Sequence, residues 1–115
     1  MTGVQTCALP ISVSKQEAGT ADLIQKWMVA KELNPQRTHN NVWAFASGYQ
    51  PKRPTLVLVS HHDTVPANGG YIRDPYDGAI ENGCLYGLGS NDAGGALVAL
   101  LAVFCHFNKI GRAHV

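Results

Sequence analysis

At 115 residues, 45% hydrophobic and 15% charged, with a formal net charge of +1, the chain has material for one modest core. Nine Lys and Arg against eight Asp and Glu are scattered, with no basic stripe to track a phosphate backbone, which argues against nucleic acid as a partner. The longest apolar stretch, 96–104, is far shorter than the roughly 20 residues that cross a bilayer, and residues 1–11 lack the basic start and long apolar core of a signal peptide, so the expectation is a soluble, cytoplasmic protein with no membrane partner.

The two ends carry a signal of their own. Back-translated as ATC GGA AGA GCA CAC GTC, Ile110-Gly111-Arg112-Ala113-His114-Val115 has a reverse complement that reads Thr-Cys-Ala-Leu-Pro and then an Ile or Met codon, which is the order of Thr6-Cys7-Ala8-Leu9-Pro10-Ile11. Natural protein ends have no reason to be complementary, and both resemble translated sequencing adapter. Residues 1–12 and 110–115 are therefore expected to be artefact around a gene fragment at 13–109, and fold reasoning sets them aside.

Within 13–109, Ser14-Lys15-Gln16-Glu17 has capping-box spacing and predicts a helix start. Ala21, Ile24, Trp27 and Met28 then recur at intervals of three and four as one apolar stripe, and Asn34-Pro35 ends the helix. Residues 42–46 read as a strand broken by Ser47-Gly48, residues 51–54 as a polar turn, and the apolar run Thr55-Leu56-Val57-Leu58-Val59 as a buried strand. Residues 65–77 are rich in Gly and Pro, with a turn at Asp74-Pro75-Tyr76-Asp77. A hairpin with a Glu-Asn-Gly turn comes next over 80–86, and a helix from Ala93 to about Phe107, apolar on nearly every face, predicts an element that needs neighbours. Gly94 and Gly95 weaken its first turn, which suggests close backbone approach there. Trp27, Trp43 and Cys105 read as core residues, and Cys84, with no CxxC partner, makes no thiolate zinc site.

Two patches carry the chemistry. Ser60-His61-His62-Asp63-Thr64-Val65-Pro66 closes the predicted strand, and Gly87-Leu88-Gly89-Ser90-Asn91-Asp92-Ala93-Gly94-Gly95 opens the predicted helix. In an extended strand His61 and Asp63 share a side and His62 faces away. A neutral imidazole can give one nitrogen to zinc while its other N–H is held by a carboxylate, the place Asp63 occupies. Asp92 can bridge two cations or simply cap the helix, and His61 with Asp63 can equally be a satisfied polar strand end. His39, in a polar turn, and His106, at a helix end, read as structural.

Taken in order, Leu-Val-Ser-His-His-Asp-Thr-Val-Pro, then Asp-Pro-Tyr, then Asn-Gly-Cys-Leu-Tyr-Gly-Leu-Gly-Ser-Asn-Asp-Ala-Gly-Gly resembles the zinc metallopeptidase family of acetylornithine deacetylase, succinyl-diaminopimelate desuccinylase, aminoacylase and carboxypeptidase G. The resemblance covers about residues 13–109, and the Gly-Ser-Asn-Asp-Ala-Gly variant looks most like acetylornithine deacetylase-type enzymes acting on N-acylated ornithine or citrulline. It implies an α/β fold, the N-terminal fragment of a zinc-peptidase-like three-layer sandwich in which a mixed sheet is flanked by helices. It further implies that His61 binds one zinc, that Asp92 bridges two, and that Asp63 belongs to the catalytic set as the carboxylate that orients His61. A non-proline cis peptide at Asp92-Ala93 is also implied. Gly94-Gly95 departs from the Lys-Gly common there, and Leu88 stands where a basic residue is common.

The reaction so implied is hydrolysis of the amide of an N-acyl amino acid by an activated water, with Zn2+, two per subunit and replaceable by Co2+, and a glutamate as general base. That glutamate and the remaining ligands lie downstream in the family and nothing after Asp92 supplies them, so the fragment alone is expected to bind zinc weakly and to be inactive. The longer parent is expected to act on a small molecule and to form a homodimer. Two rivals stand beside this reading. One is a co-catalytic zinc aminopeptidase or dipeptidase, and the other is a non-catalytic, metal-free binding fragment.

Overall fold

The computed structural model describes residues 13–113, with side chains through Gly111, and the expectation for residues 1–12 and for His114-Val115 lies outside that range. The first helix, α1, spans Ala18–Ala30 and buries Thr20, Ala21, Ile24 and Met28; of the expected stripe, Trp27 is only partly buried and packs against the same cluster. Its start differs from the expected capping box. Glu17 holds the N-cap position with no side-chain cap, Lys15 lies at φ 72°, and the Glu17 carboxylate accepts from the Lys15 N–H and from Asn40 Nδ2. The Ser14 hydroxyl points elsewhere.

The helix also stops earlier than Asn34-Pro35. Leu33 N–H donates to Met28 O at 3.0 Å and Glu32 N–H to Val29 O at 2.9 Å, with Glu32 at φ 58°. That is a Schellman closure, and its usual apolar contact is present, since Leu33 and Met28 are both buried in one cluster. Burial of Leu33 thus stops the helix before proline geometry is needed, even though a non-glycine residue takes the left-handed position.

Next come β1 (Gln36–Thr38) and β2 (Asn41–Trp43), an antiparallel pair joined through His39 and Asn40, with His39 at φ 54°. Arg37 on β1 pairs with Asp22 of α1 and so lays the hairpin on the helix. The strands β3 (Ile80–Glu81) and β4 (Cys84–Leu85) form the second hairpin, as expected, around Asn82 at φ 52° and Gly83 at φ 78°. Positive φ at both central residues is the turn that matches strand twist. Arg73 closes on this hairpin through Glu81 at 2.7 Å and through the face of Tyr86.

The last helix, α2 (Gly95–Ala113), packs Leu101 and Cys105 against Ile24, Met28 and Leu33, with Leu97 and Phe104 beside them. Asn108, buried on the same face, accepts the Ser47 N–H at 2.7 Å. Its backbone runs on past Phe107 through residues 110–113, into the stretch that resembles adapter. Ser90–Gly111 contains an 18-residue window of mean hydropathy 1.6, long and apolar enough to cross a membrane by length and composition alone. Its Leu101–Cys105 stripe is nonetheless spent on α1.

Two further expectations fail. Residues 54–60 form no strand, because no ladder partner for them exists among the described residues, and Leu56, Val57 and Val59 are 85%, 70% and 78% exposed. A strand is defined by its neighbours as much as by its residues. Trp43 is not core but half-exposed, on the rim of an open apolar groove of about 980 Å³ between residues 41–63 and α2. The architecture is a small mixed α/β unit, two helices with two short antiparallel hairpins, and the apolar 55–59 segment lies open beside them.

Candidate functional site

The two patches meet. Thr64 makes a parallel bridge with Val13, and Ser14 N–H donates to Thr64 O at 3.2 Å, which fixes the end of the 55–63 segment in front of α1. From the other side, the Asp74–Asp77 turn is closed by Tyr76 N–H on Asp74 Oδ1, and its Pro75 O accepts Leu88 N–H at 2.7 Å. Gly89 then passes so close to Thr64 that a Cβ would stand 2.5 Å from Thr64 Cγ2, and its φ of 77° favours glycine independently. Gly89 is thus the position of tightest approach. At Gly95 a Cβ would meet only Ser90 O, at 3.2 Å.

After Gly89 the chain kinks through Ser90–Gly94 before α2 begins, with Asp92 (φ −124°, ψ 95°) and Ala93 outside helical geometry. The Asp92–Ala93 peptide is cis, as the resemblance implies. Among the described residues the Asp92 carboxylate is hydrogen-bonded to His61 and to no helical N–H, so the plain N-cap alternative does not describe it. Its carboxylate turns back toward the first patch.

There His61 stands between two carboxylates. His61 Nε2 lies 2.9 Å from Asp92 Oδ1, and Nδ1 lies 3.0 Å from Asp63 Oδ1 and 3.2 Å from Asp63 O. The second Asp63 oxygen accepts the Ser14 hydroxyl. The three expected site residues are therefore gathered at one exposed point. His62 faces the other way, half-buried, with Nε2 3.0 Å from Asn40 O and Nδ1 2.7 Å from Thr20 Oγ1. A carbonyl can only accept, so Nε2 carries a proton there and His62 ties α1 to the β1–β2 turn.

The electrostatics arise from these contacts. The Asp63 hydrogen bond, opposed by burial and helped by Asp92, holds the His61 pKa above its ordinary value. The Ser14 hydrogen bond, then His61, holds Asp63 below its ordinary value. A raised histidine stabilises the fold fully below its ordinary pKa and loses that contribution as pH rises through the raised value; a lowered carboxylate contributes above its ordinary pKa and loses it as pH falls. The pair thus contributes most between the two. In an Asp63→Asn variant, the His61 ring protons followed by NMR should titrate at lower pH than in the parent chain; an unmoved midpoint would refute the assignment.

Chemically, an imidazole nitrogen and a carboxylate oxygen 2.9 Å apart approach the separation of about 3.3 Å that two donors of one tetrahedral zinc adopt, and the imidazole has the carboxylate behind it that metal-bound histidines use. His61 and Asp92 fit as two of the four donors such an ion takes. No group of three or more His, Cys, Asp or Glu completes the set among the described residues. Sequence reading missed Ser14 and Gly89 as parts of this site. Only the turn preference of glycine hinted at the second, and the capping-box spacing pointed the first elsewhere.

Residues 57–115 match the model of peptidase family M20/M25/M40. The chain is 32% identical over 97 residues to the succinyl-diaminopimelate desuccinylase of Blochmanniella floridana, covering 78% of this chain and 25% of that protein. It is 28% identical over 109 residues to the enzyme of the same name from Nitrosococcus oceani, covering 90% and 28%, and 32% identical over 110 residues to that of Xanthomonas oryzae pv. oryzae, again 90% and 28%. The chain spans about a quarter of the length of these curated relatives. With just over half of its residues matched, including both patches, this chain belongs to peptidase family M20/M25/M40.

Proposed function

We propose that this chain is the part of a metal-dependent amidohydrolase that supplies His61 and Asp92 to zinc, and that the complete enzyme removes the acyl group of an N-acyl amino acid. The single observation that carries the reading is the 2.9 Å approach of His61 Nε2 to Asp92, with Asp63 on the far nitrogen. When bound, the metal polarises the acyl carbonyl and makes water a nucleophile near neutral pH. The residues of this chain act around it. Asp63 keeps the proton on Nδ1, which leaves Nε2 free to donate its lone pair, and the kink at Ser90–Gly94 aims the Asp92 carboxylate at the same point. The general base and the remaining donors come from the rest of the longer protein, so the 115-residue chain by itself is inactive.

Two substrate readings stand. The Gly89-Ser90-Asn91-Asp92-Ala93-Gly94 variant supports acylated ornithine or citrulline, and the names of the relatives support a succinylated diamino acid. Neither substrate carries the free α-amino group that a dipeptide presents on the acyl side of its scissile bond. The test presents N-acetylornithine, N-acetylcitrulline, N-succinyl-diaminopimelate and a dipeptide to the complete hydrolase, before and after chelation. We expect one acyl amino acid to be hydrolysed, activity to vanish with the metal, and Zn2+ or Co2+ to restore it. Activity indifferent to chelation, or confined to the dipeptide, would overturn the proposal.

A further inference from the structure

The geometry points to Ser14 as a positioning residue for His61, acting through Asp63; the inference rests on the metal-site reading for its purpose and on hydrogen bonding alone for its mechanism. Ser14 lies 49 residues from Asp63, yet its hydroxyl donates to Asp63 Oδ2 while Asp63 Oδ1 receives His61 Nδ1–H. Its backbone N–H donates to Thr64 O, and Val13 bridges Thr64, so the serine is held beside Asp63 through the residue that follows it. A carboxylate held by one oxygen can turn about its χ2 axis, whereas one held at both oxygens cannot. The relay runs from hydroxyl to carboxylate to imidazole, and at its far end stands Asp92.

Without a metal, Asp63 and Asp92 compete for the single proton of a neutral His61, one at each ring nitrogen. Fixing Asp63 in register favours the Nδ1–H tautomer, the form whose Nε2 is free to ligate. Ser14 therefore selects the binding-competent ring rather than touching the metal. The serine would also be expected to cap α1 from its spacing, but Glu17 occupies that position and the hydroxyl is committed to Asp63.

The test uses the 115-residue chain and three versions of it: the parent, Ser14→Ala and Ser14→Thr. Long-range nitrogen–proton NMR at alkaline pH, where the imidazole is neutral, reads the ratio of Nδ1–H to Nε2–H in His61. Ser14→Ala should lower that ratio roughly 3- to 10-fold, the scale of one hydrogen bond, and Ser14→Thr, which keeps the hydroxyl, should restore it. An unchanged ratio in Ser14→Ala, or no recovery with threonine, would overturn the inference. Zinc affinity by calorimetry should fall by a similar factor, roughly 3- to 10-fold, in Ser14→Ala. If the complete hydrolase takes up no zinc, the metal-site reading fails, and the tautomer ratio in the 115-residue chain still decides the role of Ser14. Should Ser14→Ala lose its helical circular dichroism, Ser14→Cys, similar in size and only a weak donor, provides the same comparison.

Discussion

Replacing Asp92 by alanine in the complete hydrolase is expected to lower zinc affinity by more than about 100-fold and to remove amide hydrolysis with it. Partners that merely orient a metal ligand typically cost about 10–100-fold when removed, and Asp92 is assigned the ligand position itself. Its carboxylate is about seven-eighths exposed and packs against nothing that would collapse, so the fold should survive the change. Equilibrium zinc binding together with circular dichroism checks this. Parent-like zinc affinity in a folded Asp92→Ala protein would exclude Asp92 from the metal.

The second large effect concerns the core. Ile24→Ala should destabilise the chain by about 2–5 kcal/mol, because Ile24 is buried among Met28, Leu33, Leu101 and Cys105 and its removal leaves a cavity as well as losing transfer energy. Against a total stability of about 5–15 kcal/mol for an ordinary domain, that is a large fraction. Leu56→Ala, at a residue 85% exposed, should change stability by no more than about 0.5 kcal/mol. Urea denaturation measures both, read as midpoint shifts at constant slope. A large loss for Leu56→Ala would mean that the 55–59 segment is packed rather than open.

That contrast shows what is readable in the residues and what is not. The α1 stripe, the Asn82-Gly83 turn and the helix after Asp92 are local patterns, and each appears where periodicity and turn chemistry place it. Thr55–Val59 has the composition of a buried strand, but pairing and burial are properties of neighbours, and a run of apolar residues carries no information on whether those neighbours are at hand. The β1–β2 hairpin departs in the opposite sense. Its residues are largely polar, and it exists because Arg37 reaches Asp22 and His62 reaches Asn40, contacts between distant positions.

The candidate site divides in the same way. Alternation along an extended segment places His61 and Asp63 on one side, while their site roles and that of Asp92 come from the family resemblance, because both need only a few consecutive residues. Ser14 is not, since Ser-x-x-Glu spacing describes a local cap equally well and only the fold reveals that the hydroxyl serves a carboxylate 49 residues away. Gly89 falls between the two: its turn conformation is local, but the contact with Thr64 that excludes a side chain is not.

Anomalous diffraction at the zinc edge from crystals of the metal-loaded hydrolase shows whether His61 and Asp92 hold one ion between them. A peak is expected about 2.0–2.2 Å from both His61 Nε2 and an Asp92 carboxylate oxygen, with Asp63 on Nδ1. A zinc peak bound elsewhere, with His61 and Asp92 still hydrogen-bonded to each other, would contradict it.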